Sequence, residues 1–236
     1  MLTPTAIAFD LDGTLIDSRG DIVAATNHAL RRSGRAALPA PVIVHFVGDG
    51  ARSLCARAAR LPETDPAVDG LVDDFAAYYL AHPVDSTRWM PGAKETITAL
   101  AERMPGVALA VCTNKPAAIT AAVLAGLGVR DRFRAVVAGG DTPDKKPSPG
   151  PLLRLAELVG QPPAHMVMVG DGPQDIEAAR AAGMRSIGIE SGYGARGKLE
   201  ASRPDVMLAS FAELPEVVRR WSDATTRISG LPFRRR

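Results

Sequence analysis

The sequence predicts an α/β protein, a doubly wound and mostly parallel sheet with a helical segment inserted after its first strand. Three observations carry this expectation. An apolar run, Ala6-Ile7-Ala8-Phe9, reads as a buried strand that ends in Asp10-Leu11-Asp12-Gly13-Thr14. After Pro91-Gly92, helical stretches alternate with short apolar runs, as in strand–helix units that build a parallel sheet. Between these two regions, residues 19–88 carry helical periodicity alone. The expected division is a core of residues 1–18 and 89–236 and a helical unit of residues 19–88.

Within the insertion, Ile22, Ala25, Thr26, Ala29 and Leu30 share one helix face, and Ser33-Gly34 follows as a stop. A shorter helix is expected over 51–60. Val68, Leu71, Val72, Phe75 and Tyr79 mark a third apolar stripe, ended by His82-Pro83. In the core, helices are expected to begin near Ala93, Pro116, Pro149, Pro173 and Ser210. Strands are expected over 107–111, 135–137, 166–169, 186–189 and 206–208. Ligands of such open sheets bind outside the carboxyl ends of the strands, so chemistry-bearing residues should gather there.

Composition narrows the classes. The chain has 236 residues, 46% hydrophobic and 23% charged, which is ordinary for a globular protein with a substantial core. A formal net charge of only +2 makes no case for nucleic-acid binding. The terminal Arg234-Arg235-Arg236 reads as a frayed tail rather than a binding patch. Two cysteines, Cys55 and Cys112, argue against a disulfide framework and fit a reducing cytoplasm. No apolar run approaches a membrane span, and the first strand starts too early to leave room for a signal peptide.

Alternation along a strand puts Asp10 and Asp12 on one side. Two carboxylates so placed repel unless something cationic lies between them, and a divalent metal beside a carboxylate nucleophile is the simplest answer. The other strand ends carry matching polar strings. Residues 107–111 run into Cys112-Thr113-Asn114-Lys115-Pro116, where a hydroxyl and an amide suit either a phosphate oxygen or plain helix capping. Residues 135–137 lead to Gly139-Gly140-Asp141-Thr142-Pro143-Asp144-Lys145-Lys146-Pro147-Ser148-Pro149, which holds two of the chain's five lysines. Residues 166–169 lead to Gly170-Asp171-Gly172-Pro173-Gln174-Asp175-Ile176.

These four strings, in this order and at these strand ends, resemble the four motifs of the haloacid dehalogenase superfamily, most of whose members are phosphatases. The resemblance spans residues 9–189. It implies a Rossmann-like core and an aspartyl-phosphate mechanism in which Asp10 is the nucleophile and Asp12 the general acid and base. It gives Thr113 the phosphate-binding hydroxyl, with Asn114 assisting. Lys146, directly before the proline, would neutralise both phosphate and nucleophile. Asp171 would complete a Mg²⁺ site with the Asp10 carboxylate and the Asp12 backbone carbonyl. Asp175 would orient a neighbour or a metal-bound water, or serve as a charge at a helix N-terminus. Phosphoryl transfer is mainly positioning and charge neutralisation, so a carboxylate nucleophile with a metal beside it is chemically coherent.

Asp12-Gly13-Thr14-Leu15-Ile16-Asp17-Ser18, the insertion after it, Phe46-Val47-Gly48-Asp49-Gly50 and the Gly-Gly-Asp…Lys-Lys-Pro string are most similar to bacterial phosphoglycolate phosphatases. The insertion would then be a helical cap domain closing over the site. Gly48 and Gly50 form either a loop facing the site or a turn between helices. Arg52 is the nearest candidate for a substrate carboxylate, and His45 reads as structural. Other readings are a phosphatase for another small phosphate ester or pyrophosphate, and a beta-phosphoglucomutase-like phosphotransferase. Asp12 argues against a dehalogenase, and the lack of lysine in 19–88 argues against a phosphonoacetaldehyde hydrolase. A phospho-accepting signalling module is more remote, because the chain is long and its nucleophile lies in the first-strand pair. The expected partner is a small phosphorylated metabolite, with no nucleic acid and no membrane, for a monomer or homodimer in the cytoplasm.

Overall fold

A computed structural model of the chain describes residues 4–190, 192–194 and 196–229. The arginine tail lies outside the described residues. Six parallel strands form the central sheet: β1 (Ala6–Phe9), β4 (Ala108–Pro116), β5 (Ala135–Gly139), β6 (Met166–Gly170), β7 (Arg185–Ile189) and β8 (Val206–Leu208), in the order β5-β4-β1-β6-β7-β8. β1 lies in the middle, paired with β4 through Phe9 and Val111 and with β6 through Phe9 and Val169. The chain builds outward from β1 first to one side and then to the other. The crevice at this switch therefore opens at the carboxyl end of β1.

Alternation within each strand feeds two cores. Ala6, Ala8, Ala110, Cys112, Met166 and Met168 face α7 (Gly150–Val159) and α8 (Pro173–Ala181). Ile7, Phe9, Leu109, Val111, Val167 and Val169 face α5 (Ala93–Arg103), α6 (Ala117–Gly126) and α10 (Leu214–Ser229). Burial on both faces explains why the strands read as unbroken apolar runs.

The insertion holds α1 (Arg19–Arg32), α2 (Ala40–Val44), α3 (Ala51–Ala59) and α4 (Ala67–Ala81). All five residues of the expected α1 face are buried. The short helix α2 was not expected, since five residues beginning Ala40-Pro41 show no helical period. The entry and exit of the insertion meet in a two-stranded antiparallel ribbon, β2 (Ile16–Asp17) with β3 (Arg88–Trp89). The buried Asp21 of α1 accepts from the N–H groups of Ser86 and Thr87 at 2.8 and 2.9 Å and from the Thr87 hydroxyl at 2.7 Å. β4 continues past residue 111, where the apolar reading stopped, because Thr113, Asn114 and Lys115 are buried beneath the helical segment. A short helix, α9 (Arg196–Ala201), precedes β8. Among the described residues, no helix is long and apolar enough to cross a membrane.

Candidate active site

The strand ends bring Asp10, Asp171, Asp175 and Lys146 together. Asp10 follows the last pair of β1, and its N–H donates to Val169 O at 2.9 Å. Lys146, on the loop between β5 and α7, is 1% exposed and donates to Asp10 Oδ1 at 2.9 Å, Asp175 Oδ1 at 2.6 Å and Cys112 O at 2.6 Å. Burial opposes its charge, but Asp10 and Asp175 outweigh burial and hold the ammonium above the ordinary lysine range. Asp175, in the first turn of α8, also accepts from Gly172 N–H at 3.1 Å, so its helix-terminus and its lysine-pairing roles coexist.

Asp171 accepts from the Thr14 hydroxyl at 2.8 Å and from the N–H groups of Tyr193 and Gly194 at 2.7 and 3.1 Å. Burial and the neighbouring Asp10 push its carboxyl up to about 6. Burial, against Lys146 but with Asp10 and Asp171, pushes Asp175 up to about 7. Gly13 makes the close approach possible: its φ is +88°, and a Cβ there would lie 2.6 Å from Asp171 Oδ2. Asp10, Asp171 and Asp175 offer carboxylate oxygens within 4.8 Å of one another. Among the described residues no cationic side chain reaches Asp171. Three buried carboxylates with one lysine between two of them fit a hard divalent cation on the Asp171 side.

Asp12 has a different setting. Its carboxylate is not part of that triple. Ser18 donates to its Oδ1 at 2.5 Å, and Lys115 Nζ donates to both oxygens at 3.0 and 3.1 Å. Lys115 also donates to the Tyr79 hydroxyl of α4 at 2.8 Å. Sequence reading gave Lys115 no role, although like Lys146 it directly precedes a proline. Ser18 and Tyr193 were also missed. The Tyr193 hydroxyl accepts from Ser18 N–H at 2.6 Å, a contact between distant segments that no local pattern carries.

Thr113 Oγ1 accepts from Lys115 N–H at 3.2 Å and lines the same cavity as Asp10 and Asp12. Asn114 is engaged on every side: its amide donates to Gly48 O at 3.0 Å and Lys146 O at 2.9 Å, and its Oδ1 accepts from Lys146 N–H at 2.9 Å. Its side chain therefore acts on the site through the Lys146 loop and the 46–50 loop rather than as a spare donor. Burial pushes both cysteine thiols up to about 12, which removes them as nucleophiles.

The partly open space beside Asp10 and Asp12 measures about 50 Å³, walled by Thr113 and Lys115 from the core and by Ile22, Val47, Leu54 and Phe75 from the insertion. The Gly48–Gly50 loop faces this space. Arg52 does not: it is exposed and paired with Asp69 at 2.6 Å, which corrects the expectation that it meets a substrate carboxylate. His45 is exposed beside Phe46. Lys145 spans to the insertion, donating to Asp49 O at 2.7 Å and Ser53 Oγ at 3.1 Å.

Comparison with known proteins accords with this geometry. Residues 7–189 match the model of the family described as haloacid dehalogenase-like hydrolase. The chain is 41% identical over 219 residues to a phosphoglycolate phosphatase of Neisseria meningitidis, covering 89% of this chain and 92% of that protein. It is 39% identical over 212 residues to a phosphoglycolate phosphatase of Pectobacterium atrosepticum, covering 88% and 89%. A solved structure described as a predicted phosphoglycolate phosphatase from Haemophilus somnus superposes with a TM-score of 0.83 at 31% identity, covering 92% of this chain and 99% of that one.

Proposed function

This chain belongs to the haloacid dehalogenase-like hydrolase family and is a phosphatase, and on that premise we propose that it hydrolyses 2-phosphoglycolate to glycolate and phosphate, with Mg²⁺ and through an aspartyl-phosphate on Asp10. The observation that carries the mechanism is the placement of Asp10. Its carboxylate is buried, accepts from Lys146 and lies within 4.8 Å of carboxylate oxygens of Asp171 and Asp175.

Asp10, Asp171 and the Asp12 carbonyl would hold the metal, and Mg²⁺ there would neutralise charge between the nucleophile and the phosphate. An Asp10 oxygen attacks phosphorus and the ester P–O bond breaks. The departing alkoxide takes a proton from Asp12. A water then gives a proton to Asp12 and attacks phosphorus, and the bond to Asp10 breaks to release phosphate. Lys146 holds Asp10 in place and offsets charge throughout. Thr113 is assigned to a phosphate oxygen, with Asn114 supporting the loops on either side. Asp175 fixes Lys146. The helical segment, residues 19–88, is assigned as the cap domain, which supplies Ile22, Val47, Leu54 and Phe75 to the space beside Asp10 and Asp12. The named relatives support the choice of 2-phosphoglycolate.

The test is turnover of purified protein on a panel of phosphate esters, with Mg²⁺ or EDTA. Preference for 2-phosphoglycolate and loss of activity in EDTA are expected, and a clear preference for a sugar phosphate or nucleotide would overturn the substrate. Asp10→Asn is expected to lose activity by about 10⁴-fold or more, since a carboxamide is a poor nucleophile.

A further inference from the structure

The mechanism above leaves one buried cation unused. Lys115 is 6% exposed, at the end of β4. Its ammonium grips both oxygens of Asp12 and the hydroxyl of Tyr79, and lies 4.2 Å over the Tyr79 ring. Tyr79 is 1% exposed on α4, packed edge-on against Phe75 at 5.6 Å between ring centres. Lys115 and Phe75 both line the space beside Asp10 and Asp12. On its other side Asp12 is held by the Ser18 hydroxyl, at the start of the insertion. Asp12 thus sits between two contacts, both tied to the ends of the helical segment or to its longest helix.

We propose that Lys115 and Tyr79 are a positioning pair that aims the Asp12 carboxyl at the leaving-group oxygen when α4 lies on the core. The proposal rests on the acid–base reading of Asp12. Neither residue touches phosphorus. Lys115 fixes the direction of the carboxyl by contacting both of its oxygens, and Tyr79 fixes where the lysine stem ends. A bidentate contact of this kind restricts rotation of the carboxyl about its own bond, which a single hydrogen bond from Ser18 leaves free. If α4 lifts, Lys115 loses Tyr79 and the aim of Asp12 is lost, while the Lys146 ammonium keeps its contacts with Asp10, Asp175 and Cys112 of the core.

The leaving group separates this role from a merely structural one. A p-nitrophenolate departs without a proton, whereas an alkoxide needs the one that Asp12 delivers. The experiment is rapid-quench measurement of the phosphorylation step under single turnover with Mg²⁺. The substrates are p-nitrophenyl phosphate and an alkyl ester, 2-phosphoglycolate or glycerol 3-phosphate, whichever wild type turns over faster. Asp12→Asn is expected to lose alkyl-ester phosphorylation about 10²–10⁴-fold beyond any loss with p-nitrophenyl phosphate. Lys115→Met is expected to show the same selective loss, at least about tenfold. Tyr79→Phe keeps the ring and its packing, and should lose about threefold in the same direction, the effect of one hydrogen bond near 0.7 kcal/mol.

Equal losses on both substrates in Lys115→Met, or no selective loss in Tyr79→Phe, overturn the pair. If Lys115→Met does not fold, Tyr79→Phe alone decides. Absence of selective loss in Asp12→Asn overturns the acid assignment and this inference with it. Selectivity in Asp12→Asn but in neither partner variant overturns the inference alone.

Discussion

Asp171 and Asp175 sit where burial and like charge make ionisation costly, and this sets how pH and metal act on the protein. Their carboxyls are pushed up to about 6 and about 7 from the ordinary 3.8. The folded, metal-free protein therefore keeps protons that the unfolded chain has released. Stability from these groups is fully present below the unfolded value and is lost as pH rises from about 4 through 7. A divalent cation reverses this, since it binds only the ionised carboxylates. The expected outcome is that Mg²⁺ raises the melting temperature far more at about pH 8 than at about pH 5, by roughly 2–4 °C for each kcal/mol of relief. Thermal melts with EDTA and with saturating Mg²⁺ check it, and equal shifts at the two pH values would contradict a metal site on these residues. Asp10 and Asp171 could be singled out in the sequence because each lies just past an apolar run, Lys146 because it directly precedes a proline, and Asp175 because it lies one helical turn past Asp171. Lys115 could not, because its meaning comes from Tyr79, which reads as one more residue in an apolar helical stripe.

At the scale of elements, the ribbon of β2 and β3 and the N-terminus of α1 decide how the insertion is attached. Asp21 stands in the first turn of α1, where a carboxylate interacts well with the helix N-terminus, and it accepts three hydrogen bonds from Ser86 and Thr87. One side chain thus fastens both ends of a seventy-residue excursion. Asp21→Ala leaves the N–H and hydroxyl of buried Thr87 unpaired, with the Ser86 N–H turned to solvent, and is expected to cost about 2–3 kcal/mol. Asp85→Ala is the contrast: its pairing with His82 at 2.9 Å is solvent-exposed, so removal should cost no more than about 0.5 kcal/mol. Denaturant unfolding of the two variants measures both values, and similar costs would mean that Asp21 does not carry the joint. The helices and strands themselves follow from period 3.6 in residues 19–88 and from apolar runs thereafter. What the pattern misses are places where polar residues are buried for a reason outside their own element, as in the second half of β4, and a helix as short as α2. Asp21 falls in the same class, since its partners lie across the insertion.

For the whole molecule, the question is whether residues 19–88 move as a body, because the space beside Asp10 and Asp12 is lined by both parts. Within the insertion, α1 and α4 share a continuous apolar interior that includes Leu30, Leu71 and Phe75, and His28 stacks on Tyr78 at 4.6 Å between ring centres. Across to the core, the polar contacts are few and separate: Asn114 with Gly48, Lys145 with Asp49 and Ser53, and Lys115 with Tyr79. Each such bond contributes only about 0.5–1.5 kcal/mol net. The apolar cluster also runs on into the core, and α4 packs on α6, so motion of the segment as one unit about the β2–β3 ribbon has to part that contact as well as the polar ties, while its own helices stay packed. Lys145 is the tie to cut, since it touches neither Asp10 nor Asp12. In Lys145→Ala, hydrogen exchange of the amides in residues 47–53 is expected to quicken by roughly five- to tenfold, the equivalent of about 1 kcal/mol. Amides in the middle of α1 and α4 should keep their wild-type rates, because their hydrogen bonds open only when the segment itself unfolds. Faster exchange throughout residues 19–88 would show that the insertion loosens from within, and the lid would then be its loops rather than the segment as a whole.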